Sequence, residues 1–328
     1  VIQLVLLGDV MLGRLVNSWL RKAPPEHPWG DTLSVLARAD WRFCNLECAL
    51  SDRGRPWQRT PKIFHFRSDT KNVAVLQAAG IDAVSIANNH TLDFDYDGLE
   101  DTLVTLDEAA IARAGAGRRE AEAAGPAVLT ANGIRVGLVA FTDNEPAWAA
   151  RPDKPGIHYV PADPADARGR AFLDHVRKAK KHLDLLIVSA HWGGNWGDRP
   201  PAEHIAFGRA LVEHGADVVY GHSCHVTRAV ELVDHRAVLY STGDFIDDYA
   251  VDPVERNDRS FIFIVLWEDD GVQGLRLYPT VTRRGQARLA TGDEAERSAQ
   301  RMVALCTERD TLACWMATAG CVAINPRK

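Results

Sequence analysis

The 328-residue chain lacks several features that would each have fixed a class. There is no apolar run long enough to span a bilayer: Val1 to Leu7 is hydrophobic, but Gly8-Asp9 ends it, so it reads as a strand rather than a signal peptide or membrane anchor. It has no G-x-G-x-x-G and no Walker A motif, so no bound nucleotide is expected. Its six cysteines are too sparse for a disulfide scaffold, and they are expected to stay reduced in a cytoplasm as packing residues. An excess of basic charge is also missing. The formal net charge is −6, which argues against a nucleic-acid partner, and no basic amphipathic stretch suggests a membrane surface.

What remains is ordinary globular composition, 46% hydrophobic and 25% charged. Short β-branched runs alternate with longer amphipathic ones, the pattern of α/β layering. Strands are predicted at 2–8, 41–46, 82–87, 134–141, 184–190, 217–221, 236–241 and 260–267. Helices are predicted at 13–22, 31–39, 69–79, 97–111, 163–182, 201–214 and 293–305. Ser68 is the expected cap of the third helix, with Gly80 as its stop. Residues 51–67 and 142–156 read as surface excursions. The chain is expected to form a single domain, 1–328, with 285–328 as a helical extension packed on it.

The strand ends carry the functional signal. Six apolar strands finish in polar residues: Asp9, Glu47, Asn88-Asn89-His90, His191, His222 with His225, and Asp244. Ligands of open α/β sheets bind at that edge. Any one such residue has an ordinary explanation as a solvated or turn-forming side chain. Their shared phase points instead to ligands for divalent cations of borderline hardness such as zinc, manganese or iron, since carboxylate, amide and imidazole are the donors these ions take.

GDVMLGR, NLE, ANNH, HWGG, GHSCH and YSTGDF, in this order from Ile2 to Phe245, resemble the CapA-like family, named for poly-γ-glutamate capsule synthesis and part of the calcineurin-like metallophosphatase superfamily. The resemblance implies two packed mixed sheets flanked by helices, an α/β/β/α sandwich, with two divalent metal ions at the strand ends. It implies metal ligands at Asp9, Glu47, Asn89, His191, His222 and His225, and a catalytic imidazole at His90. The pattern departs from the phosphatases where Asp9 is followed by Val10-Met11 rather than a histidine. It departs from the CapA-like pattern at Asn195-Trp196 and at Asp244.

Two reactions fit such a site. One is hydrolysis of a phosphoester or γ-glutamyl amide, with His90 protonating the leaving group. The other is inversion of a peptide Cα by proton removal and return, for which Asp93, Asp198 and Asp244 join His90 as candidate acids and bases. The lost phosphatase motif and the missing anchor resemble the soluble branch that epimerises the C-terminal residue of lasso-peptide precursors, which the resemblance implies is Trp. The sequence-based expectation is therefore a metal-dependent peptide epimerase with a precursor peptide as partner, and hydrolysis as the alternative. Trp57, Phe64, Trp148, Trp192 and Trp196 could line a groove for that peptide, although at least half are expected to be core. Arg55, Arg59, Lys62 and Arg199 could hold its carboxylate.

Overall fold

The computed structural model describes residues 1–131 and 133–325. All eight expected strands form. Numbered in chain order together with Asp244–Ile246, one of the strands the sequence did not show, they are β1 (Ile2–Val10), β2 (Trp41–Leu46), β3 (Ala83–Ser85), β4 (Ile134–Thr142), β5 (Leu185–His191), β6 (Val218–His222), β7 (Arg236–Leu239), β8 (Asp244–Ile246) and β9 (Arg259–Glu268). In the first sheet β1, β2 and β3 run parallel, β8 lies parallel to one side of β1, and β9 closes antiparallel on it. In the second sheet β4, β5, β6 and β7 are parallel neighbours, with antiparallel strands Ala127–Ala131 and Val230–Val233 at its two edges.

The two-residue period of the strands divides the side chains between layers. Leu4, Leu6 and Phe43 of the first sheet meet Leu138, Ile187 and Tyr220 of the second in one buried cluster. The alternate residues Val5 and Leu7 pack outward with Val16, Leu36 and Leu103. On the far face Leu186 and Val188 pack with Phe172, Val176, Phe207 and Leu211 from the helices Ala167–Lys180 and Ala202–Glu213. The result is the expected four-layer arrangement, helices on both outer faces of two mixed sheets. Between the sheets the Tyr220 hydroxyl donates to the Leu7 carbonyl, a polar clasp in an apolar layer.

Several local expectations are corrected. Ser68 does not cap the third helix; its hydroxyl hydrogen-bonds Asn17 and Asn72, although Gly80 ends the helix at φ +65° as expected. Residues 285–328 are not simply a helical extension. The helix Gly292–Thr307 is there, but Gln286–Leu289 pairs with Gly271–Arg283 and the hairpin Ala313–Met316/Cys321–Ile324 extends the first sheet. The sequence hid Gln286–Leu289, Ala313–Met316 and Cys321–Ile324 because each is only four residues long, so their period is weak. The two excursions also reach inward, burying Trp57, Phe66 and Trp148. Among the described residues no helix is long and apolar enough to cross a membrane.

Replacing Tyr220 by Phe leaves the Leu7 carbonyl without this partner. Urea denaturation is expected to show a loss of about 1–3 kcal/mol, the cost of an orphaned buried acceptor.

Candidate metal centre

Strand register assembles the centre before any side chain is considered. Asp9 on β1 stands opposite Asn45 on β2 and Asp244 on β8, while His191 on β5 stands opposite His222 on β6. The close approach at the end of β1 depends on Gly8, where a Cβ would lie 1.9 Å from the Gly243 carbonyl oxygen. Past β6 the chain turns sharply: Ser223 and His225 both take left-handed backbone (φ +102° and +62°), a strained conformation for residues with side chains. That turn carries His225 back toward Asp9.

Two donor clusters result, and Asp9 belongs to both. One is Asp9, His191 and His222; the other is Asp9, Glu47, His225 and Asp244, each with ligand atoms within 4.8 Å of one another. Asp9 Oδ1 lies 3.7 Å from His222 Nδ1 and Oδ2 lies 3.7 Å from His225 Nδ1. His191 Nδ1 and His222 Nδ1 are 2.7 Å apart, and His225 Nδ1 is 2.8 Å from Asp244 Oδ1. Asn89 Oδ1 sits 3.0 Å from His191 Nε2, on the rim of the first cluster.

The electrostatics fit a divalent cation. Glu47 and Asp244 are fully buried, and burial and neighbouring carboxylates push both well above the ordinary range. Burial likewise raises Asp9. Both Glu47 oxygens, Asp9 Oδ2 and Asp244 Oδ2 are buried with no hydrogen-bond partner. Buried orphan oxygens are costly, and a cation in their midst removes that cost. Burial pushes the imidazoles the other way, His191 well down and His222 down to about 3, which leaves the neutral rings that ligate metals.

His90 stands beside the clusters rather than in them. Its Nδ1 is 2.6 Å from Asp93 Oδ2, its Nε2 is 3.9 Å from Glu47 Oε1, and the Phe66 ring stacks on it at 3.9 Å. Since the Asp93 carboxylate accepts, Nδ1 carries the proton and Nε2 offers its lone pair to the centre. Asp93 also accepts from the Phe66 backbone N–H, and Lys62 Nζ lies 3.4 Å from its other oxygen.

Other expected residues lie elsewhere. Asp198 pairs with Arg199 and with Arg301 of the last helix, and Arg199 is held by Glu308, so neither joins the centre. Trp192 is buried, stacked on His204, with its indole N–H donated to the Tyr240 carbonyl, so it is core. Arg59 is tied to Asp95 and lies over Trp57 and Tyr96. Lys62 is enclosed by Asp93, Glu145 and the Asn89 carbonyl, which makes it a support for the His90 pair rather than a hand for substrate. Asp244, expected as an acid or base, stands among the ligand donors. Trp196 stays on the rim, 39% exposed, its ring 6.2 Å from that of His225.

Sequence reasoning missed Asn45, Asp247 and Tyr249. Asn45 donates to Asp9 Oδ1 at 2.8 Å and accepts from Asn88. Asp247 is buried and pushed up to about 7, and the Tyr249 hydroxyl is buried without a partner. The signal is present in NLE, where Asn45 stands two residues before Glu47, and in GDFIDDY, where the acidic and aromatic residues continue past Phe245 to Tyr249.

The bacterial capsule synthesis protein family matches residues 3–249. The chain belongs to that family. A probable polyglutamine synthesis accessory protein of Mycobacterium tuberculosis is 37% identical over 235 residues, 68% of this chain and 60% of that protein. The PGA biosynthesis protein CapA of Bacillus subtilis is 27% identical over 244 residues, 74% of this chain and 62% of that protein. The matched part of the chain thus spans about three fifths of these curated relatives. Among solved structures, a hypothetical protein from Thermus thermophilus superposes with a TM-score of 0.53 at 17% identity, covering 86% of this chain and all of that one. A putative 5'-nucleotidase from Staphylococcus aureus superposes with a TM-score of 0.51 at 12% identity, covering 92% of this chain and 58% of that one. The fold is calcineurin-like.

In protein stripped of metal, Asp247's own contribution to stability should fall as pH rises, and Asp247→Asn should remove that fall. Asp247 titrates near 7 when folded against 3.8 in the ordinary state, so the folded chain binds more protons in between and stability present below 3.8 is lost as pH climbs through 7. Adding Mn²⁺ or Zn²⁺ at neutral pH is expected to raise Tm, by the equivalent of about 2.7 kcal/mol at a hundred times Kd. Glu47→Gln, which removes one crowded charge, is expected to raise the Tm of stripped protein and to diminish the metal-induced rise. Thermal scans with and without chelator check all three.

Proposed function

We propose that this member of the capsule synthesis family is a metal-dependent hydrolase that cleaves an amide of the γ-glutamyl class. The observation that carries this is the His90–Asp93 pair beside Glu47 of the donor clusters. Divalent ions held by Asp9, Glu47, His191, His222, His225 and Asp244 would polarise the substrate carbonyl and supply a nucleophilic water at neutral pH. His90, kept neutral by burial, accepts a proton at Nε2 as water attacks and returns it to the departing nitrogen. Asp93 fixes the ring's tautomer and stabilises its protonated form between the two transfers. Phe66 and Lys62 fix Asp93 in turn.

The amide class is supported by the relatives' names, which place them in polyglutamine and PGA synthesis. The likeness to a 5'-nucleotidase is at 12% identity and carries the fold, not a phosphoester substrate. Inversion of a peptide's C-terminal Cα has less support. It needs a second titratable group across the reacting carbon, but Asp198 is held by Arg199 and Arg301, and Asp244 is grouped with the ligand donors.

Metal-loaded protein is expected to release free amines from oligo-γ-glutamate. His90→Gln should lower that rate by about 10²–10⁴-fold, the usual contribution of a general acid–base, with bound metal unchanged. Asp93→Asn should lower it less. Turnover of an aryl phosphate alone would overturn the amide assignment, and deuterium uptake at a peptide's terminal Cα without cleavage would restore the epimerase.

A further inference from the structure

A cavity of about 360 Å³ lies away from the metal centre, between the helices Glu120–Ala124 and Ala167–Lys180 and the segment 146–160. None of its lining residues belongs to the donor clusters. Its wall is apolar where Ile157 and Phe172 are buried, and its polar members are Glu120, Arg151, His158, Tyr159, Arg168 and His175, whose Nε2 is buried with no hydrogen-bond partner among the described residues. We propose that this cavity is a second binding site, for a dipeptide-sized zwitterion carrying a free carboxylate and a free amine.

The charges suit such a ligand. Some surface arginines of this protein are neutralised, Arg59 by Asp95, Arg113 by Asp107 and Glu122, Arg118 by Glu100, and would offer a ligand less. Among the described residues Arg151 and Arg168 have no ion pair, and the Arg168 guanidinium lies over the Tyr159 ring, 5.7 Å from its centroid. Two unpaired guanidinium forks on one cavity recognise a carboxylate. Glu120, also without an ion pair among the described residues, supplies the opposite sign. His158 adds direction: its Nδ1 is 2.9 Å from the Ala140 carbonyl, which can only accept, so Nδ1 holds the proton and Nε2 is an acceptor for N–H. The volume falls in the range of small-molecule pockets.

The cavity is joined to the metal centre through the chain. Pro146, Ala149 and Ala150 line it, Glu145 just before them is 3.5 Å from Lys62, and Trp148 lies beneath the Lys62 ammonium at 5.0 Å. An occupant therefore rests on the loop that supports Lys62 and, through it, Asp93. The site stands whether or not the chain hydrolyses amides.

The test is calorimetric titration of the full chain, treated with chelator so that the metal centre cannot take the ligand, using L-γ-glutamyl-L-glutamate as probe. Saturable binding is expected. The double variant Arg151→Gln/Arg168→Gln should weaken it about tenfold or more through loss of charge-assisted hydrogen bonds, with Tm little changed because only the exposed Arg168–Tyr159 ring contact is lost. No saturable binding, or equal affinity in the double variant, would overturn the site. An N-acetylated probe that binds equally well would overturn the zwitterion assignment.

Discussion

Everything at this centre depends on Asp9, a buried carboxylate shared by two donor clusters. One oxygen faces His222 and the other faces His225, across the seam where the two sheets meet. Glu47 and Asp244 crowd the same space from adjacent strands, and four of these carboxylate oxygens have no hydrogen-bond partner. Like charges this close in a desolvated pocket oppose one another, and protonation or cations are the two ways to relieve them. Protonation would leave acids that cannot ligate. Cations convert the same crowding into affinity, so the fold's stability and its chemistry are set by one arrangement.

The scaffold is built to tolerate that arrangement. Buried strands fill both faces with aliphatic side chains, so that the costly groups are confined to the strand ends. Gly8 admits a carbonyl where any side chain would collide, and the left-handed backbone at Ser223 and His225 brings the His225 imidazole back to Asp9. Lys62 shows a different economy. Its ammonium is spent on Asp93, Glu145 and a backbone carbonyl, so it stiffens the imidazole's partner rather than meeting the substrate.

Much of this was legible in the sequence because period and phase are local properties. The eight strands, and the polar residue ending each of the functional ones, follow from apolar runs that stop abruptly. Which of the polar residues meet is a matter of register, and here the chain gave only part. Asp244 read as a spare acid because its strand is three residues long and its pairing with β1 is invisible without the fold. Asp198 and Arg199 read as site residues because they follow the HWGG turn; their partners, Glu308 and Arg301, lie about a hundred residues on, beyond any local signal. Trp192 failed for a simpler reason. It adjoins His191, so strand alternation sends it to the opposite face, into the helix layer.

The shared role of Asp9 is also the most exposed point of the account. Anomalous diffraction from crystals grown with Mn²⁺ tests it directly. Two peaks are expected, one among Asp9, His191 and His222 and one among Asp9, Glu47, His225 and Asp244, with a separate Asp9 oxygen or a common one reaching each. A centre that takes no ion at saturating metal, or ions bound without Asp9, would contradict it.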